Sequence, residues 1–338
     1  MFDLVAGDAR LILCPALGGS IGGWQRRGVD LLRPTPAEAL QGTSSRALSC
    51  FPLIPFSNRI AWGRFSFGGE SFQLDRNFGD HPHTIHGNAW QRAWDVASQS
   101  ATEAQLTLAH DPATDSGSHW PYRYQAGLLY TLAPDSLHVT ISFHNTDTRA
   151  QPVGLGLHPY QPHTPQTAIA FRAGSVWHTG RIRCRTSACR RKGRGASTLA
   201  TSSPGRRWTI ATPAWTGRAE ITRPEHGVRL VIAGDDIFRH LVVYTPDAKP
   251  YFAVEPASNM TDAVNRMDTV ADHGLRVLAP GKAWCGRCGS RSRTWADRSG
   301  RAAICAWVSK ARALPFDPVK GEAFEILLFF CRIGIGVI

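Results

Sequence analysis

Apolar and polar residues alternate with a period of two over much of the chain, most clearly across residues 122–132 and again across Leu137-His138-Val139-Thr140-Ile141-Ser142-Phe143. Between these runs lies Ala133-Pro134-Asp135-Ser136, a turn-type sequence. Strand side chains point alternately to the two faces, so this pattern predicts a β-hairpin with one buried face. Shorter runs of the same kind recur at residues 9–15, 64–67, 104–109, 219–221, 228–232, 241–244 and 251–254, bounded by Pro, Gly, Asp or His. Helical periodicity is confined to a turn or two near residues 36–40 and 261–266. That is too little helix for the crossovers of a parallel sheet, so the chain reads as all-β, one large antiparallel β-sandwich.

The 338 residues are 43% hydrophobic, enough for a sizeable core. The net charge of +12 would by itself suggest an anionic partner, but it is unevenly spread. Residues 181–207 hold nine Lys or Arg and no acid, and residues 282–338 hold ten against four Asp or Glu, leaving the remainder at −3. The basicity therefore belongs to two patches, and the body of the chain has the balance of an ordinary cytoplasmic enzyme. The first patch, residues 181–214 in its full extent, is rich in Arg, Ser, Gly and Thr and offers little for a buried strand face. The second, residues 283–338, repeats that composition with Cys and Trp added. Residues 1–282 are thus expected to form the sandwich and 283–338 a basic tail.

Six of the eight cysteines lie in the two patches, so no disulfide framework is expected. The start, Met1-Phe2-Asp3-Leu4, lacks the basic and apolar regions of a secretion signal, and the apolar run 326–338 is interrupted by Arg332 and too short for a bilayer span. A cytoplasmic protein without a membrane partner is expected. The Arg-rich run lacks the interleaved aromatic residues of a single-stranded nucleic-acid groove, so nucleic acid is not expected as a partner either.

Four segments carry the candidate chemistry: Ser57-Asn58-Arg59-Ile60, His83-Thr84-Ile85-His86-Gly87, Gly156-Leu157-His158-Pro159-Tyr160 and Ala253-Val254-Glu255-Pro256. Each sets polar or titratable side chains among strand-like apolar neighbours. Glu255, between Val254 and Pro256, is costly to bury unless it has a partner or a function. His158 stands where a strand ends and the chain turns at Pro159, a place equally suited to a structural histidine. Arg59 follows the apolar run 50–56, in position to donate to ligand hydroxyls or to serve as an ordinary turn arginine. The three histidines at 81, 83 and 86 raise zinc, but a proline interrupts them and no HExxH helix is present, so no metal is expected. The CxxC at Cys285 and Cys288 has no matching second pair. Together these residues suit acid/base chemistry on a neutral, polyhydroxylated ligand.

Taken in order, the four segments resemble the aldose 1-epimerase (galactose mutarotase) family, particularly its shorter bacterial members. The resemblance runs from the N-terminus to about residue 176, resumes at Thr216-Gly217-Arg218-Ala219-Glu220-Ile221, and fades after Leu278-Ala279-Pro280-Gly281. It implies a β-sandwich of the galactose mutarotase type, no cofactor, and an aldose as small-molecule substrate. By position Glu255 matches the general base that takes the proton from the anomeric hydroxyl, and His158 the general acid that protonates the ring oxygen. Asn58, Arg59 and His86 match substrate-contacting positions. The mutual attraction of the two catalytic groups is expected to favour ionised Glu255 and protonated His158. An aspartate that the family carries before the TGRAEI-like strand has no counterpart in Trp208-Thr209-Ile210-Ala211-Thr212-Pro213-Ala214-Trp215. The two basic patches have the composition of out-of-frame translation, which leaves a non-catalytic carbohydrate-binding homologue, and more remotely a basic nucleic-acid-binding protein, as rivals to an active epimerase.

Overall fold

In a computed structural model, Tyr124–Ala133 pairs antiparallel with Ser136–Asn145 in unbroken register from Tyr124↔Asn145 to Ala133↔Ser136. The expected face is buried: Ala126, Leu128 and Leu132 from one strand lie with Val139, Ile141 and Phe143 from the other. The structure describes the backbone of residues 1–174, 176–179, 186–189, 197–200, 208–294 and 324–329, and the side chains of 1–174 and 213–292.

This hairpin sits inside a ten-stranded sheet. Asp95–Gln99 and Glu103–His110 flank it on one side, and Ala283–Thr294, Val228–Gly234, Arg218–Arg223 and Ala168–Ala173 continue it on the other. A second sheet of eight strands has His240–Thr245, Tyr251–Ala257, Gly156–Leu157 and Pro52–Leu53 as consecutive neighbours, with Tyr160–Pro162 also paired to Tyr251–Ala257. One continuous core takes side chains from both sheets, Leu128 and Ile141 from the first, Leu241, Phe252 and Val254 from the second. A four-stranded sheet from the N-terminus, Phe2–Ala6, Ala9–Cys14, Ser20–Arg26 and Val29–Asp30, adds Leu4, Leu11 and Trp24 to it. The antiparallel β-sandwich is therefore present, and helix is limited to elements such as the single turns Ala37–Leu40 and Ala263–Arg266. No helix among the described residues is long and apolar enough to cross a membrane.

The expected boundary at residue 282 is where the structure departs from the sequence reading. Ala283–Thr294 is a strand in the middle of the ten-stranded sheet, paired with Ser136–Asn145 on one edge and Val228–Gly234 on the other. The composition, rich in Arg and Ser, concealed a period of two: Trp284, Gly286, Cys288 and Ser292 are turned inward, and Cys285, Arg287 and Arg291 outward. Gly286 lies under Ile237 and Phe238: a Cβ would stand 1.9 Å from Ile237 Cδ1 and 2.9 Å from Phe238, so those side chains would have to move to admit one. The expectation that residues 181–207 supply no buried strand face concerns side chains outside the described residues.

Candidate active site

Strand register places His158 against Glu255. Gly156 is opposite Ala257 and Tyr160 is opposite Ala253, so His158, two residues in from each pair, faces Glu255 across the strand boundary. The resulting contact is His158 Nε2 to Glu255 Oε1 at 3.2 Å. Gly156 permits the close approach, since a Cβ at that position would stand 2.9 Å from the Pro256 carbonyl oxygen. The amide of His158 donates to the Phe51 carbonyl and that of Tyr160 to the Ser49 carbonyl, fixing the chain on both sides of Pro159. Alternation along Tyr251–Ala257 does the rest: Phe252 and Val254 join the inter-sheet core, while Tyr251, Ala253 and Glu255 face the opposite side of the sheet. There a smaller aromatic cluster of Phe51, Trp90 and Tyr160 surrounds the pair, with Phe51 stacked on the His158 ring at 4.6 Å and Tyr160 tilted against it at 4.5 Å.

The first two sequence segments meet in a two-residue ladder, Arg59↔Ile85 and Ile60↔Thr84. Just before it, Asn58 and His86 clasp each other. The His86 amide donates to the Asn58 carbonyl at 2.8 Å, and the Asn58 amide donates to His86 Nδ1 at 3.0 Å. Both residues hold left-handed backbone, φ 63° and 64°, a conformation that non-glycine residues keep only where their surroundings demand it. Gly87 follows at φ 69°, and a Cβ on it would strike the Ile54 carbonyl oxygen at 1.9 Å. The His86 ring lies 5.2 Å from the His158 ring and perpendicular to it. Arg59 is buried and donates from Nη1 to Asn58 Oδ1 at 2.8 Å and from Nε towards His81 Nε2 at 3.4 Å. All five residues singled out in the sequence thus converge on one sheet face.

Burial governs the charges. The Glu255 carboxyl is pushed up to about 8 by desolvation, which the positive charge of Arg59 offsets only in part. The His158 imidazole is pushed down to about 3, chiefly by desolvation, with Arg33 and Arg59 acting in the same direction. His86 is also held well below the usual histidine range by burial and by its charged neighbours. Both shifts run against the expected ion pair, because burial disfavours the carboxylate and the imidazolium alike. Glu255 Oε2 and His158 Nδ1 are buried without a partner, which leaves hydrogen-bonding capacity on both groups for an incoming ligand.

His86, His158 and Glu255 also bring their potential metal-binding atoms within 4.8 Å of one another. The tautomer of His86 argues against a metal there. Its Nδ1 accepts from the Asn58 amide, so the neutral ring carries its proton on Nε2 and presents a donor, where a metal would need a lone pair and an acceptor behind it. His83 is occupied otherwise, its Nδ1 accepting from the Trp62 amide at 3.0 Å. The arrangement suits donors and acceptors for hydroxyl groups.

Three positioning residues escaped the sequence reading. Asn77 donates to the carbonyls of Ile85 and Gly87 and accepts from the Ile85 amide, holding the turn that carries His86. Asn259 accepts from the Ser57 amide and donates to the Ser57 carbonyl, and Asp262 accepts from the Ala61 amide. Each lies in a polar loop, where Asn and Asp read as ordinary turn residues.

The aldose 1-epimerase family model matches residues 2–289. The chain belongs to the aldose 1-epimerase family. The match extends past residue 282 into the strand Ala283–Thr294, in agreement with the pairing described above. YphB of Escherichia coli K12 is 29% identical over 274 residues, covering 79% of this chain and 90% of YphB. A crystal structure from Escherichia coli K12 superposes with a TM-score of 0.77 at 27% identity, covering 87% of this chain and 98% of that one. A galactose mutarotase-like protein from Clostridium acetobutylicum shares the fold, with a TM-score of 0.72 at 17% identity over 86% of this chain and 94% of its own.

Proposed function

We propose that this aldose 1-epimerase family member interconverts the α and β anomers of an aldose, with Glu255 and His158 as the proton-transferring pair. Opening a hemiacetal ring requires a proton to leave the anomeric hydroxyl while another reaches the ring oxygen. Both oxygens are bonded to the same carbon, so two side chains in mutual contact are close enough to serve both. Glu255 accepts from the anomeric hydroxyl and His158 donates to the ring oxygen. Rotation about the C1–C2 bond and the reverse transfers close the ring on the other face.

The resting and reacting forms of the pair differ by the position of one proton. Moving it from Glu255 to His158 creates the base and the acid together, and the charge of Arg59 favours that ionised carboxylate. A raised carboxyl lies near the working pH, where general catalysis is most effective. His86 offers its Nε2–H, and Arg59 and Asn58 the remaining polar contacts, to the sugar hydroxyls. The observation that carries this reading is the 3.2 Å contact of two buried, oppositely shifted titratable groups. Cytoplasmic location and a cofactor-free reaction go with it.

Anomer exchange by two-dimensional NMR tests it. Wild type is expected to speed exchange of an aldose above its spontaneous rate, and Glu255→Gln to abolish the acceleration. A wild type no faster than Glu255→Gln, yet still binding sugar, would favour the non-catalytic carbohydrate-binding reading.

A further inference from the structure

A half-buried cation stands behind the catalytic histidine. Arg33 has its Cζ 3.9 Å from the centre of the Tyr160 ring and 4.3 Å from that of Tyr251. The two rings are perpendicular with centres 5.3 Å apart, so both lie to one side of the guanidinium. Tyr160 in turn is tilted against His158 at 4.5 Å, and this one ring separates the guanidinium from the imidazole. Hydrogen bonds fix the arrangement. The Arg33 amide donates to the Tyr160 carbonyl and the Tyr160 amide to the Ser49 carbonyl, each at 2.8 Å. Arg33 Nη2 donates to the Leu48 carbonyl at 2.6 Å, and the Ser49 hydroxyl donates to the Arg33 carbonyl at 2.5 Å. The groups that favour the charge of Arg33 are phenols, Tyr160 and Tyr251.

The groups packed on His158 from other elements are mostly uncharged. Burial holds the Cys50 thiol and the Tyr160 hydroxyl far above their usual ranges, and the His86 ring, perpendicular at 5.2 Å, well below its own. That leaves Glu255, in contact with Nε2, and the two arginines. Arg59 bears on both members of the pair, favouring the carboxylate and opposing the imidazolium. Arg33 opposes the imidazolium from behind Tyr160. The steps of 3.9 and 4.5 Å put its charge within about 9 Å of the imidazole, near enough in a protein interior to move a titration by about half a unit to one unit.

We propose that Arg33 is a positioning residue of the acid/base pair: fixed behind Tyr160, its charge loosens the hold of His158 on the proton that goes to the ring oxygen of the sugar. The proposal rests on the epimerase reading above and adds to it a residue that acts through its field, without touching the substrate. A hemiacetal ring oxygen is a weak base, and a donor that holds its proton loosely protonates it more readily. The same charge opposes a settled imidazolium–carboxylate pair, in which the proton would stay between His158 and Glu255.

Long-range proton–nitrogen NMR of the histidine rings tests this without a substrate, the His158 signal being assigned by its loss in His158→Gln. Wild type is compared with two neutral variants, Arg33→Met and Arg33→Gln, the second keeping a donor towards Leu48, and with Arg33→Lys. The neutral variants are expected to carry more imidazolium than wild type at each pH below about 5, with the titration displaced upwards by about half a unit to one unit. Arg33→Lys is expected to return most of the way. The acid limb of kcat/KM for anomer exchange should move to higher pH in step, while the alkaline limb, set by Glu255, stays in place. Equal spectra for wild type and the folded neutral variants at every pH overturn the proposal, as does a displaced titration with an unmoved acid limb. Arg33→Lys behaving like the neutral variants overturns it too, because Arg33 would then be a brace for Tyr160 and not a charge. Should wild type accelerate no aldose, the epimerase reading fails, and the spectra still decide whether Arg33 sets the proton affinity of His158.

Discussion

The two faces of the sandwich's eight-stranded sheet follow opposite rules. Towards the ten-stranded sheet, Phe252, Val254, Leu241 and the hairpin residues Leu128 and Ile141 form an apolar core in which each side chain gains from leaving water. On the other face Asn58, Arg59, His86, His158 and Glu255 are buried as well, and each loses hydration that protein partners only partly replace. The strand Tyr251–Ala257 belongs to both regimes, with successive residues facing the core and the site. Stability is thus concentrated on one side of the sheet and reactivity on the other, and the first is what holds Glu255 and His158 in contact against their cost.

The largest expected effect falls on the reactive face. Glu255→Gln or His158→Gln should lower anomer exchange about 10²- to 10⁴-fold, read by NMR, while the protein stays folded by circular dichroism. On the core face Phe143→Ala should lower unfolding free energy by about 3–5 kcal/mol in a denaturant titration, yet leave exchange per folded molecule near wild type. Equal losses of activity in the two experiments would dissolve the division between the faces.

Gly156→Ala probes the seam between them. Its Cβ would press on the Pro256 carbonyl oxygen and push the two strands apart, so both stability, by about 1–3 kcal/mol, and exchange should suffer. Unchanged exchange would mean that the pairing of these strands does not set the contact between His158 and Glu255.

The last effect concerns pH. Folded Glu255 titrates at about 8 and its unfolded counterpart near the usual carboxyl value, so the folded state holds a proton that the unfolded chain releases. Stability from this group is full below about pH 4 and declines as pH rises towards 8. His158 has the opposite sense for its type: held neutral in the fold, it costs stability as pH falls below about 6.5. Glu255→Gln should therefore melt higher than wild type above pH 8, with the gap narrowing towards pH 5 in calorimetric scans. A gap independent of pH would place the Glu255 proton elsewhere.

Much of this protein was legible without coordinates. The hairpin 124–145 announced itself because burial on one face of a strand imposes a period of two, a local rule that needs no knowledge of partners. Glu255 stood out because a carboxylate in an apolar strand has to be explained, and the four ordered segments carried a family resemblance that the match over residues 2–289 sustains. The strand Ala283–Thr294 was missed for the converse reason. Its inward positions are mostly small, Gly286, Cys288 and Ser292, so composition hid the alternation, and only the packing of Ile237 and Phe238 over Gly286 shows why a small residue fits there.

By itself the sequence determined the class of fold, the strands whose alternation is strong, and the residues able to move protons, since those depend on side-chain type and spacing along the chain. Only the tertiary structure decided that His158 faces Glu255, that His86 presents a donor, and that burial favours the uncharged forms of both His158 and Glu255. Those outcomes depend on register between strands far apart in order and on the depth at which water is excluded, and neither quantity is written in any local stretch of residues.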